Sequence, residues 1–166
     1  MSAPRVSDTG RKALAEFIGS ALLAATVVGS GIAAETLSPD VGLQLLVNAL
    51  ITGAVLVALI LALGPVSAAF NPVVTLAERI LGAITTAQAA LFAAAQVLGC
   101  CVGVIVANLM FDLPAVNISS RDRTGSDLLL GEAVATFGLI VIIFGVVRSG
   151  RRQAVAFAVG GYITAA

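Results

Sequence analysis

The stretch "GPVSAAFNPVVTLAERIL", residues 64–81, sets an Asn-Pro pair and a helix-like run directly behind an unbroken apolar segment. Asn is a strong N-cap residue and Pro suits the first helical position, so the pattern predicts a helix that opens at Asn71 and Pro72 and runs to about Leu81. Such a helix is a rod of about 15 Å, half of the roughly 30 Å hydrocarbon core of a bilayer. Gly64 and Pro65 break the segment before it, and residues 66–70 are mostly small and apolar, as suits backbone folded back into a protein interior. The expectation is a re-entrant half-helix with its N-terminus near mid-membrane and Glu78 and Arg79 at its other end, its free N–H groups facing a cavity. The competing reading is a surface amphipathic turn capped by the same Asn-Pro pair. Residues 66–70 count against it, because that apolar run would be poorly placed in water.

Composition supports a membrane setting. With 59% hydrophobic and 11% charged residues and a mean hydropathy of +1.08, the chain is far more apolar than a soluble domain, in which about 25% of residues are charged. Apolar runs long enough to cross a bilayer cover residues 13–34, interrupted by Glu16, then 43–63, 83–111, and 128–147, interrupted by Glu132. A further run starts at Ala154 and reaches Ala166, a rise of about 20 Å that is too short to span. The expected fold is an all-α membrane protein with four full transmembrane helices, a re-entrant half-helix and the start of a fifth helix. Residues 1–12 read as a cytoplasmic N-terminal tail and 13–166 as one transmembrane domain.

The basic residues set the orientation. With the N-terminus inside, Arg5, Arg11, Lys12, Arg79, Arg148, Arg151 and Arg152 fall on the cytoplasmic side and Arg121 and Arg123 outside. A formal net charge of zero, with no basic block, excludes nucleic acid as an expected partner. There is no His, which removes the commonest metal ligand and general base together, so no metal, cofactor or enzymatic activity is expected. Cys100 and Cys101 are neighbours in one helix and lack the geometry of an ordinary disulfide; they read as packing residues.

A weak internal repeat runs through the chain. A shift of 116 residues lays Leu14 on Leu130, Glu16 on Glu132, Ser20 on Thr136, Leu23 on Leu139 and Gly29 on Gly145. Three spans separate the two starts, so the repeats face opposite ways, as in inverted-repeat channels and transporters. The second repeat opens near residue 128 and is incomplete: the same shift from Asn71 would place a second half-helix near residue 187, past the end of the sequence given. Gly19, Gly29, Gly99 and Gly103 permit close helix contact, and Gly99 and Gly103 form a GxxxG pattern, a common motif that by itself does not establish a subunit contact.

The motif "SAAFNPVVT" resembles the first signature loop of the aquaporin or major intrinsic protein family. "AEFIGS", "AAQVLGCCVG" and "GEAVATFGLIVIIF" resemble that family's first, third and fourth helices. The resemblance implies a passive pore for water or small neutral solutes such as glycerol in each subunit of a tetramer, in the plasma (inner) membrane. It implies that Asn71 donates its amide hydrogens to the permeant and that Pro72 fixes the loop. Glu16 and Glu132 correspond to buried acids that brace loop backbone, a structural role rather than a proton relay, and Thr52 falls at a selectivity-filter position of the second helix. A small polar Thr52 suggests a filter wide enough for glycerol. The chain departs from the family pattern at Val73, where alanine is usual, and at Ala69, near the usual histidine; the second signature loop, the filter arginine and the sixth helix lie beyond the sequence given. Two other functional readings compete: a non-transporting truncated protein or scaffold, and one half of an inverted-repeat transporter completed by a partner chain.

Overall fold

The computed structural model describes residues 7–119 and 124–166. Arg5, Arg121 and Arg123, which contribute to the orientation argument, lie outside the described residues. The described chain is all-α: α1 Asp8–Leu37, α2 Val41–Leu63, α3 Pro72–Ile80, α4 Thr86–Met110, α5 Ser126–Arg148, a short 3-10 turn at Arg152–Ala154, and α6 Val155–Ala165. Four of these, α1, α2, α4 and α5, are long and apolar enough to cross a membrane.

Local chemistry fixes the boundaries. Ser7 caps α1 by accepting from the Gly10 N–H, and Lys12 pairs with Asp8 one turn away at 2.7 Å. The helix therefore begins at Asp8, so residues 8–12, expected as a tail, are helical. Asp40 caps α2 through the Leu43 N–H, and Pro65, which has no N–H to donate, follows its end. α3 stops in a Schellman turn: Gly82 takes φ +76°, its N–H reaches the Arg79 carbonyl, and the Ala83 N–H reaches that of Glu78. That turn, and the capping box formed by Thr85 and Gln88, move the start of α4 to Thr86 rather than residue 83.

α1 runs along α4 as its main partner, α2 packs between α1 and α6, and α5 packs on α6. The α1–α4 contact is close because Gly99 and Gly103 lie against α1 backbone. A Cβ on either would meet the carbonyl oxygen of Phe17 or Ala21. The close helix contact that these glycines permit is thus made inside the chain, where both are buried. Asn48 ties α2 to α1 by donating to the Val27 carbonyl at 2.8 Å and to Ser30 Oγ at 2.9 Å.

α3 has 9 residues against 23 in α2 and 25 in α4, and its first turn lies deep. Thr75 contacts Gln96, which stands ten residues beyond Thr86 in α4, a rise of about 15 Å from the membrane face at which α1 and α4 both begin. The N-terminus of α3 is thus near mid-layer, and its C-terminus returns to the face it came from.

Candidate functional site

The site starts from a buried carboxylate. Glu16, 0% exposed in α1, accepts from Ser67 Oγ, from the Ala69 N–H at 2.9 Å and from the Phe70 N–H at 2.8 Å. These donors belong to the irregular segment between α2 and α3, in which the Val66 and Ser67 N–H groups still reach the Leu63 carbonyl of α2 but those of Ala69 and Phe70 are bonded by Glu16. In a low-dielectric interior each unpaired N–H would cost about 1–3 kcal/mol. Gln96 of α4 completes the cluster, its Nε2 donating to Glu16 Oε2 at 2.8 Å and to Thr75 Oγ1 at 2.8 Å. One carboxylate and one carboxamide therefore hold the descending backbone and the first turn of the half-helix together.

Phe70, next to the cap, adopts φ +47°, a left-handed conformation that costs an aromatic residue about 1–2 kcal/mol. It is held there by its N–H bond to Glu16 and by its ring, which lies directly on Gly19 in the space a side chain would fill. The turn aims Asn71 at the half-helix. Asn71 Oδ1 accepts from the Val73 N–H at 2.8 Å and the Val74 N–H at 3.4 Å, capping α3. With Oδ1 committed to the cap, the planar amide turns its Nδ2 hydrogens away from the helix, and Nδ2 has no partner among the described residues.

Asn71 lines a cavity of ≈ 950 Å³ that continues past Thr52, Leu56 and Phe70 on one side and Ile143, Val147 and Val159 on the other. Its wall is mainly apolar, with polar groups at few places. Thr52 Oγ1 is buried and unpartnered among the described residues. The N-terminal end of α3, with the positive end of its dipole, lies at this space through Asn71 and Val74, and its Val73 and Val74 N–H groups, expected to be free, are taken up by the Asn71 cap.

The residues singled out in the sequence divide accordingly. Asn71, Thr52 and Glu16 lie at or directly behind the cavity, and Pro72 occupies the first position of α3. Val73 is 46% exposed and turned from the core. Glu132 is exposed, unlike its repeat mate Glu16, and makes no hydrogen bond among the described residues. The loop that Glu132 is expected to brace lies beyond the sequence given. Gln96 and Thr75 escaped the sequence reading. An isolated carboxamide inside the apolar run of α4 is the signal that would have found Gln96.

A membrane-spanning bundle with a capped half-helix opening on a cavity defines the class of re-entrant-loop channels. The chain belongs to the major intrinsic protein family, whose model matches residues 4–166. It is 46% identical over 160 residues to the aquaglyceroporin AqpS of Rhizobium meliloti (strain 1021), an alignment covering 96% of this chain and 68% of that protein. Members of the family are channels rather than enzymes, and the chain is an integral membrane protein.

Proposed function

We propose that the protein is a passive channel for water and small neutral solutes such as glycerol. The observation that carries this reading is the mid-layer N-cap, where Asn71 keeps two amide hydrogens free beside the cavity while its oxygen closes the half-helix. Those hydrogens orient a permeating hydroxyl oxygen, and the positive helix end opposes cations. The apolar wall offers a cation no replacement for its hydration shell. The printed name of the relative, an aquaglyceroporin, supports solutes larger than water.

Thr52 sets the width of the path in this reading. Thr52→Phe is expected to lower glycerol permeability about tenfold, equivalent to about 1.4 kcal/mol, with a smaller loss for water. Stopped-flow light scattering of proteoliposomes measures both rates. A wild-type protein that carries neither solute above the rate of empty vesicles would refute the channel reading.

The same reading places the N-terminus in the cytoplasm, the chain in the plasma (inner) membrane, and four copies in the assembly. It treats residues 13–166 as one transmembrane domain and Glu16 as a brace for the pore loop. Single cysteines at positions 11 and 151 are expected to react with impermeant thiol reagents from the cytoplasmic side alone. Labelling of either from outside intact cells would reverse the orientation.

A further inference from the structure

Glu78 is an acid on the cavity wall whose chemistry the channel reading leaves unused. It lies in the last turn of α3, half-buried, on the same cavity as Asn71. Among the described residues its carboxylate makes no hydrogen bond and no ion pair. Its neighbour Arg79 turns the other way, donating from Nε to Thr86 Oγ1 at 2.8 Å, and Lys12, which lines the same mouth, is paired with Asp8. A carboxylate taken partly out of water keeps a strong need for donors. Here the donors must come from whatever fills the cavity.

The rest of that mouth is suited to a particular filling. Gln153 and Arg152, from the turn before α6, line it with Lys12 and supply donors, Gln153 an acceptor as well. Ile143 and Val147 of α5 supply an apolar wall. A strong acceptor, several donors and a hydrocarbon face around one opening match a neutral molecule that carries hydroxyls along one edge and C–H groups along the other. A metal cation finds a single carboxylate, short of the several oxygen ligands it requires, and meets Lys12 and Arg152 beside it.

We propose that Glu78, with Gln153 and Lys12, forms a hydroxyl-binding subsite at the mouth where α1 begins, favouring entry of small polyhydric solutes over water. The subsite rests on the channel reading and extends it to a second point of selection, distinct from Asn71 and Thr52. A polyol entering there gives its O–H groups to the carboxylate in place of water and lays its carbon chain on α5. Water gains no such second contact, so Glu78 biases the ratio of the two fluxes rather than the openness of the path.

The test compares glycerol and water permeabilities of proteoliposomes holding wild-type protein, Glu78→Gln or Glu78→Leu. Loss of one or two charge-assisted hydrogen bonds is expected to lower the glycerol-to-water ratio about three- to tenfold in Glu78→Leu, and less in Glu78→Gln, which keeps an acceptor oxygen. A residue that merely supports the fold would lower both fluxes together and leave the ratio unchanged, which would overturn the proposal. A second measurement does not depend on transport. In detergent-solubilised protein labelled with ¹³C at glutamate carboxyls, the Glu78 signal, assigned by its loss in Glu78→Gln, is expected to shift on addition of glycerol while that of exposed Glu132 stays in place. A Glu78 signal that moves no more than that of Glu132 overturns the subsite even if glycerol is conducted. Wild-type vesicles that fail to pass glycerol refute the channel reading, and the carboxyl titration then decides the subsite alone.

Discussion

Glu16→Ala is expected to lower the stability of the folded protein by about 2–6 kcal/mol, because two backbone donors in a dry interior lose their acceptor at about 1–3 kcal/mol each. The Ala69 and Phe70 N–H groups have no helical partner to return to, and Ser67 Oγ and Gln96 Nε2 lose the same carboxylate. The damage should be local first. Phe70 is held at φ +47° against its own preference, so releasing its N–H frees the turn that aims Asn71 at the cavity. Hydrogen–deuterium exchange at residues 69–71 should therefore rise before the spanning helices loosen. Glu16→Gln keeps one acceptor oxygen but presents an amino group to the remaining donors, and should fall between the two. Thermal unfolding in detergent ranks the three proteins. An alanine variant with wild-type unfolding temperature and unchanged exchange at Phe70 would show that the carboxylate does not hold the loop.

Much of this arrangement is legible in the sequence, since length and polarity in a membrane admit few solutions. A bilayer-length apolar run has one stable form, a helix, so α2 and α5 follow from the spacing of charged residues to within two residues of the structure. The half-helix is legible for the same reason, because Asn71 and Pro72 mark its start, and its expected end at about Leu81 falls one residue past Ile80. What composition hides is which face of each helix meets which neighbour. Gly99 and Gly103 carry the same pattern whether they meet α1 or another subunit, and contact with the Phe17 and Ala21 carbonyls is a tertiary fact. Gln96 is hidden likewise, since one carboxamide among alanines shows that something polar is near without naming Glu16 and Thr75.

The half-helix is held from both ends by different means, which bears on how it can serve as a fixed element of a pore. At mid-layer the constraint is polar, through Glu16, Gln96 and the Asn71 cap. In the same first turn, Val74 packs with Leu139 and Val159, joining α3 to α5 and α6. Arg79 then ties the last turn to Thr86 at the start of α4. A dipole is useful for excluding ions only if its position is fixed, since a helix free to tilt would let its charged end follow the ion. The polar constraint sets depth, and the apolar one sets direction.

The α1–α4 contact leads to a prediction whose sign depends on location alone. Gly103→Ala places a methyl group against the Ala21 carbonyl and beside the Ala25 N. Neither can yield without moving the α1 backbone, so the helices must separate. Overpacking of this kind costs about 1–3 kcal/mol, and separation also weakens the neighbouring Gly99 contact with Phe17, so the double variant should not be additive. Gly145→Ala is the same change on an exposed face of α5, where a Cβ meets nothing within 4 Å. There alanine gains about 0.5–1 kcal/mol by reducing the backbone freedom that glycine loses on folding. Unfolding temperatures in detergent should therefore move in opposite directions, down for Gly103→Ala and up for Gly145→Ala. Cys100 offers a second readout, because its Sγ lies 3.9 Å from the Ser20 carbonyl in the same interface and should become more reactive to small thiol reagents when that interface opens. If Gly103→Ala raised the unfolding temperature as Gly145→Ala does, α1 and α4 would not be in backbone contact at that position, and the GxxxG pattern would again be free to serve a contact between subunits.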